Sequence, residues 1–141
     1  MVVDQNFLKV KKYFLLVIFF LLFASKSYSN NYTFTKIIEL DEPWGSSFIN
    51  NDEIIITEKS GKIKIVNVIS KEVTEIKHNL NFLEVGQGGL LDIIHQDNTL
   101  WISYSEDRGN LKTSTSIAKA QLNKQELNFK NIFQANPPID S

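Results

Sequence analysis

Four consecutive residues, Gly86-Gln87-Gly88-Gly89, set one neutral amide in a stretch of main chain bare of side chains. A glutamine amide both donates and accepts, so it can hold a hydroxyl or a carbonyl oxygen without adding charge. Glycines on either side leave the main chain there bare and free to turn tightly. The plain alternative is a glycine-rich turn leading into a buried strand, with Gln87 solvated. Other residues invite chemistry less strongly. His78 and His95 are the only histidines, 17 positions apart, and lack metal-ligand spacing, so loop or strand-end positions are expected. Asp92 with Glu84 would make an acid–base pair, but Asp92 reads better as a strand residue bonded to neighbouring backbone. Trp44 and Trp101 have rings that could stack on a sugar, although packing between sheets is the expected use. Ser103 and Ser105 have no His and Asp at a spacing that argues for a hydrolase triad. Asp52, Glu53 and Glu58 read as a solvated acidic edge.

The elements that must hold these residues are short strands. The chain has 141 residues, 43% hydrophobic and 22% charged, with no cysteine and a net charge of -1. That balance describes a globular protein and offers no broad basic field for nucleic acid. Tyr32 to Leu40 alternates with a period of two, as a half-buried strand does. Pro43-Trp44-Gly45 breaks the pattern. Strands are then predicted over Ser46–Asn50, Glu53–Glu58, Lys62–Val68 and Glu72–Lys77. Four more follow over Gly89–His95, Thr99–Ser105, Thr115–Leu122 and Glu126–Phe133. Tight turns at Asn51-Asp52 and Lys59-Ser60-Gly61 make the first set an antiparallel meander. The four-strand order recurs after roughly 45 residues, the length of a propeller blade. Eight strands also suit a two-sheet sandwich, and the pattern alone leaves both architectures open.

The first 29 residues are unlike the rest. Lys9, Lys11 and Lys12 precede an apolar run from Tyr13 to Ala24, short of the ~20 residues a membrane-crossing helix needs. The run suits a secretory signal peptide, residues 1–29, cut after Ser27-Tyr28-Ser29, with an uncleaved anchor as the alternative. The expected location is periplasmic or secreted, with no stable membrane insertion after cleavage. Four lysines and one aspartate leave with the signal, so the remainder, 30–141, holds 11 basic and 15 acidic residues. Asn31-Tyr32-Thr33 is a glycosylation sequon, relevant only on a eukaryotic secretory route.

Leu40-Asp41-Glu42-Pro43-Trp44-Gly45, then Thr57-Glu58-Lys59-Ser60-Gly61, then Gly86-Gln87-Gly88-Gly89-Leu90-Leu91-Asp92 occur in an order and spacing that resembles the start of the glucose/sorbosone dehydrogenase family. These are soluble pyrroloquinoline-quinone (PQQ) aldose dehydrogenases, and the resemblance runs from Leu40 to Pro138. It implies an all-β fold, a partial six-bladed β-propeller of about two four-stranded antiparallel blades plus one extra N-terminal strand. It implies PQQ and calcium in the full-length family, an aldose sugar as substrate, and oxidation at the anomeric carbon to the lactone. In that family calcium acts as a Lewis acid on the quinone while a histidine takes the sugar's hydroxyl proton. Gln87, with Gly86 and Gly88, matches the glycine-flanked motif that contacts cofactor or substrate. The catalytic histidine belongs to a stretch expected after Ser141, so no catalytic residue and no metal ligand is assigned here, and neither cofactor is expected to bind this chain by itself. Asn50-Asn51-Asp52 stands where the family commonly has Pro-Asp-Gly, and His95-Gln96 lies nearer the aspartate than the family's His-Pro. Two blades of six would leave sheet faces open to self-association. Competing expectations are a shortened propeller that binds carbohydrate or protein without redox chemistry, and a calcium-dependent lactonase.

Overall fold

The computed structural model describes Phe14 and residues 31–140. The expected signal peptide and its cleavage site lie outside the described residues, apart from Phe14. The chain divides into two compact units, Met1–Thr35 and Lys36–Ser141. In the first, residues 31–35 carry no regular structure; in the second lie all the strands found among the described residues.

Ten strands form two five-stranded sheets. The first sheet contains β1 (Pro43–Phe48), β2 (Glu53–Glu58), β3 (Ile63–Asn67), β4 (Val73–His78) and β8 (Glu126–Leu127), in the order β1-β2-β3-β4-β8. The second contains β5 (Leu90–Gln96), β6 (Thr99–Asp107), β7 (Lys112–Gln121), β9 (Lys130–Gln134) and β10 (Ile139–Asp140). Its order is β5-β6-β7, with β9 and β10 pairing different stretches of β7.

Period-two patterning accounts for most of this. Leu100, Ile102 and Tyr104 are buried while Trp101 and Ser103 on the opposite face are not. Ile55, Ile63, Ile65 and Ile76 of the first sheet meet Leu90, Ile93, Leu100, Ile102 and Ala118 of the second in one core. The sheets converge at edge strands β1 and β5. There the Thr57 hydroxyl donates to the Leu91 carbonyl at 2.5 Å and accepts from the Gly45 N–H at 3.0 Å. A Cβ on Gly45 would lie 2.6 Å from the Asp92 Cα, so only glycine lets the strands approach this closely.

Three expectations are corrected. The extra N-terminal strand is not formed: residues 31–40 alternate in sequence but lie outside every strand, and among the described residues no sheet edge pairs with them. Pro43-Trp44-Gly45 does not break a strand but begins β1, with a register shift between Pro43 and Gly45. Proline is tolerated at the first residue of an edge strand, where its missing N–H removes no ladder bond. The expected strand Glu126–Phe133 is two. Glu126–Leu127 runs parallel to β4 in the first sheet, and Lys130–Gln134 runs antiparallel to β7 in the second. Between them Phe129 enters the core, its N–H and C=O both held by the Asn79 side chain, at 2.8 and 3.1 Å.

The two sheets do not close. The outward face of the second presents Ile94, 55% exposed, and Phe133, 53% exposed, beside the half-buried Trp101 and Ile117. The outward face of the first is covered at its centre, where Ile56 and Val66 are buried.

Candidate functional site at the glycine-rich rim

Three connections meet at one end of the sheets: the β2–β3 turn around Lys59-Ser60-Gly61, the long β4–β5 segment from Asn79 to Gly89, and the β6–β7 loop after Asp107. The β4–β5 segment carries Gly86, Gln87 and Gly88. It is braced at every other step. Asp107 donates its N–H to the Asn81 carbonyl at 3.1 Å, Leu83 to Ser105 at 3.0 Å, and Ser105 to Gly89 at 2.9 Å. Leu90 then donates to the Lys59 carbonyl at 3.3 Å, which joins the rim of the second sheet to the turn of the first.

Phe82 and His78 lock the same turn from beneath. A Cβ on Gly61 would sit 1.9 Å from the Phe82 ring, so the ring occupies the space that glycine leaves. His78 Nδ1 accepts from the Leu80 N–H at 3.2 Å, which leaves Nε2 to donate to the Gly61 carbonyl at 2.6 Å. This histidine, at the strand end where it was expected, is a brace.

On that base a tight turn closes with the Gly88 N–H donating to the Val85 carbonyl at 2.7 Å. Gly86 takes φ 58 at the first central position, and no atom lies within 4 Å of where its Cβ would be. That is where a type II′ turn puts its positive φ. Gln87 is exposed at the tip, and its amide has no partner among the described residues. The glycines divide by role. Gly86 leaves open space that a ligand can enter. Gly88 and Gly89 serve the protein's own backbone: a Cβ on Gly88 would lie 2.9 Å from the Leu83 carbonyl oxygen, and one on Gly89 2.2 Å from that of Lys59. The Ser60 hydroxyl, in the turn that receives this loop, is buried with no partner; nothing in its local sequence signals that.

Two carboxylates near the rim are tied into the fold. Glu58 is fully buried, not the solvated edge its sequence neighbours suggest. Burial pushes its carboxyl pKa up, but the Lys64 ammonium at 2.7 Å and the Asp41 N–H at 2.8 Å outweigh that and hold it below the ordinary carboxylate range. Its second oxygen has no partner. Glu106 is likewise pushed up by burial, its largest single influence, and brought below its ordinary value by the combined effect of bonds from Ser116, at 2.6 Å, and Gln134, at 2.5 Å, with Arg108 and Asn131 adding to them.

The other candidates are not gathered into a site. Asp92 caps its own strand, accepting from the Ile93 N–H at 2.9 Å, and bonds no Glu84. Ser103 accepts from the Asp92 N–H and has no histidine partner. Trp44 is 51% exposed and does not pack between the sheets. No group of three or more His, Cys, Asp or Glu among the described residues could hold a metal ion. What the rim can do is narrow: it offers one free amide on a rigid, bare-backed turn.

The sequence profile of the Glucose / Sorbosone dehydrogenase family matches residues 40–141. No curated protein sequence matches the chain. Among solved structures, a glucose dehydrogenase is 24% identical with a TM-score of 0.66, over 71% of this chain and 32% of that one. The apo-form of a soluble aldose sugar dehydrogenase from Escherichia coli is 26% identical with a TM-score of 0.64, over 70% of this chain and 31% of that one. The PQQ-bound form of an aldose sugar dehydrogenase from Streptomyces coelicolor is 17% identical with a TM-score of 0.61, over 70% of this chain and 32% of that one. The chain thus spans about a third of the length of the solved proteins it resembles.

Proposed function

The chain belongs to the glucose/sorbosone dehydrogenase family, and from that premise we propose that it is the N-terminal part of an exported quinoprotein that oxidises an aldose at its anomeric carbon to the lactone. The observation that carries the reading is the family match across 40–141 together with the braced turn inside it, whose one unpartnered side chain is the Gln87 amide. PQQ, when bound, would supply the two-electron acceptor. The residues present fit one contact to such a group. The exposed Gln87 amide would hold a quinone or sugar oxygen from the rim, and the open space at Gly86 would let a flat ring approach the main chain. They do not fit calcium, since the described residues contain no ligand cluster. The two sheets, meeting at β1 and β5, would be the first two of six blades, and residues 1–29 the export signal.

On this reading the catalytic base and the metal ligands belong to sequence following Ser141. The purified chain supplied with PQQ, calcium and glucose reduces no dye. The coding DNA beyond the Ser141 codon, read in all frames, encodes a stretch rich in glycine and histidine. Turnover by the chain alone would overturn its incompleteness, and downstream DNA with no such stretch would remove the dehydrogenase reading.

A further inference from the structure

The outward face of the first sheet is shielded by something other than a strand. Side chains alternate along β2 and β3. Ile55, Ile63 and Ile65 enter the shared core, so Ile56, Glu58, Lys64 and Val66 lie on the opposite face. Ile56 is 9% exposed and Val66 1%, yet neither belongs to that core. Phe48 and Val73, in register with Val66 at the borders of the same face, are exposed.

Residues 36–42 come to this face from outside the sheet. Asp41 donates its N–H to Glu58 Oε1 at 2.8 Å, and the Glu42 carbonyl accepts from the Lys59 N–H at 3.1 Å. Burial along the segment alternates: Ile38 and Leu40 are half-buried, while Ile37 and Glu39 are exposed. Glu42 turns the chain into β1 with φ 44, a left-handed conformation unfavourable to any residue but glycine.

We propose that residues 36–42 are a displaceable strap, with Ile38 and Leu40 lying over Ile56 and Val66, that caps a docking face for another sheet. The strap is lightly held. It makes two latch bonds and no ladder pairing among the described residues, and the strained hinge at Glu42 favours its release. The chemistry of the face selects the partner. Phe48, Ile54, Val66 and Val73 make an apolar row across four strands, and the charges of Glu58 and Lys64 beside it are spent on each other. An apolar sheet face fits that row; a charged ligand finds nothing there. On the dehydrogenase reading, on which the partner's identity rests, that sheet is the neighbouring blade, and blade and strap cannot hold the face together.

The test uses the full chain. In native-state hydrogen exchange, the Asp41 and Lys59 amides, which make the latch bonds, exchange about tenfold or more faster than those of Ile55 and Ile65 in the sheet beneath. Ile38→Ser with Leu40→Ser raises binding of the apolar dye ANS about twofold or more and opens residues 36–42 to thermolysin, with an unchanged circular dichroism spectrum. Ile37→Ser with Glu39→Ser, on the exposed side, changes neither. Exchange in the unmutated chain keeps the test valid should the first variant fail to fold. Latch amides exchanging at the rate of the sheet, or equal effects from the two pairs of substitutions, would overturn the strap. Neither readout depends on the coding sequence beyond Ser141, so strap and dehydrogenase reading can fail separately.

Discussion

Gly86 and Gly89 stand three residues apart and face opposite constraints. Gly89 has φ 134 and a carbonyl 2.2 Å from where its Cβ would be, so Gly89→Ala forces the β2–β3 turn away from the rim. A loss of about 3 kcal/mol or more is expected in urea unfolding, since strain and a broken close contact act together. Gly86→Ala meets only the cost of positive φ, about 1 kcal/mol, and Gln87→Ala stays within about 0.5 kcal/mol because the amide bonds nothing. If all three variants lost the same stability, the division of roles among these residues would be wrong. Glu58 carries a pH prediction. Its carboxyl and that of Glu106 lie below the ordinary value of 4.5 in the folded protein. Between those lowered values and 4.5 the unfolded chain binds more protons than the folded one. Stability is therefore whole above that window and falls as pH drops through it. The urea midpoint should decrease from pH 7 to pH 4. Lys64→Met leaves the buried carboxylate without its cation and should cost about 3 kcal/mol at pH 7. The burial of Glu58 was not legible in sequence. At the end of β2 beside a turn it reads as solvated, and its partners come from β3 and from Asp41, which no local pattern connects to it.

At the scale of elements, alternation located seven of the eight expected strands to within a few residues because each buries one side on a shared core. It failed where a strand's fate depends on its mate. Residues 31–40 have the pattern and no edge to join, while Glu126 to Phe133 has one pattern and two edges. The switch between those edges is held by the Asn79 side chain, which replaces two ladder bonds at Phe129. Asn79→Ala should cost about 2 kcal/mol, near 1 kcal/mol per bond, and hydrogen exchange should quicken first in residues 126–131. Uniform quickening across both sheets would show that the clamp is not local. The rim was half legible. The order of Gly86, Gln87 and Gly88 marked it, but only the fold reveals that Gly88 is needed by Leu83 and leaves Gly86 alone facing open space.

For the molecule as a whole, the uncovered face of the second sheet dominates behaviour in solution. Ile94 and Phe133 are more than half exposed there, beside Trp101 and Ile117. Contiguous apolar surface of that kind draws proteins together. The chain should self-associate with rising concentration in sedimentation velocity. Ile94→Lys should shift it toward monomer without lowering the unfolding midpoint, because Ile94 contributes little to the core. An unchanged distribution in that variant would place the association surface elsewhere.

The chain crosses between its sheets late. β8 closes the β4 edge of the first sheet, but it is made only after β5, β6 and β7. During synthesis the first four strands therefore leave the ribosome with one border bare and wait for some fifty further residues before it is sealed. Nascent chains stalled short of Glu126 should be cut readily by protease throughout the early meander, and those stalled well past Gln134 should resist along their whole length at once.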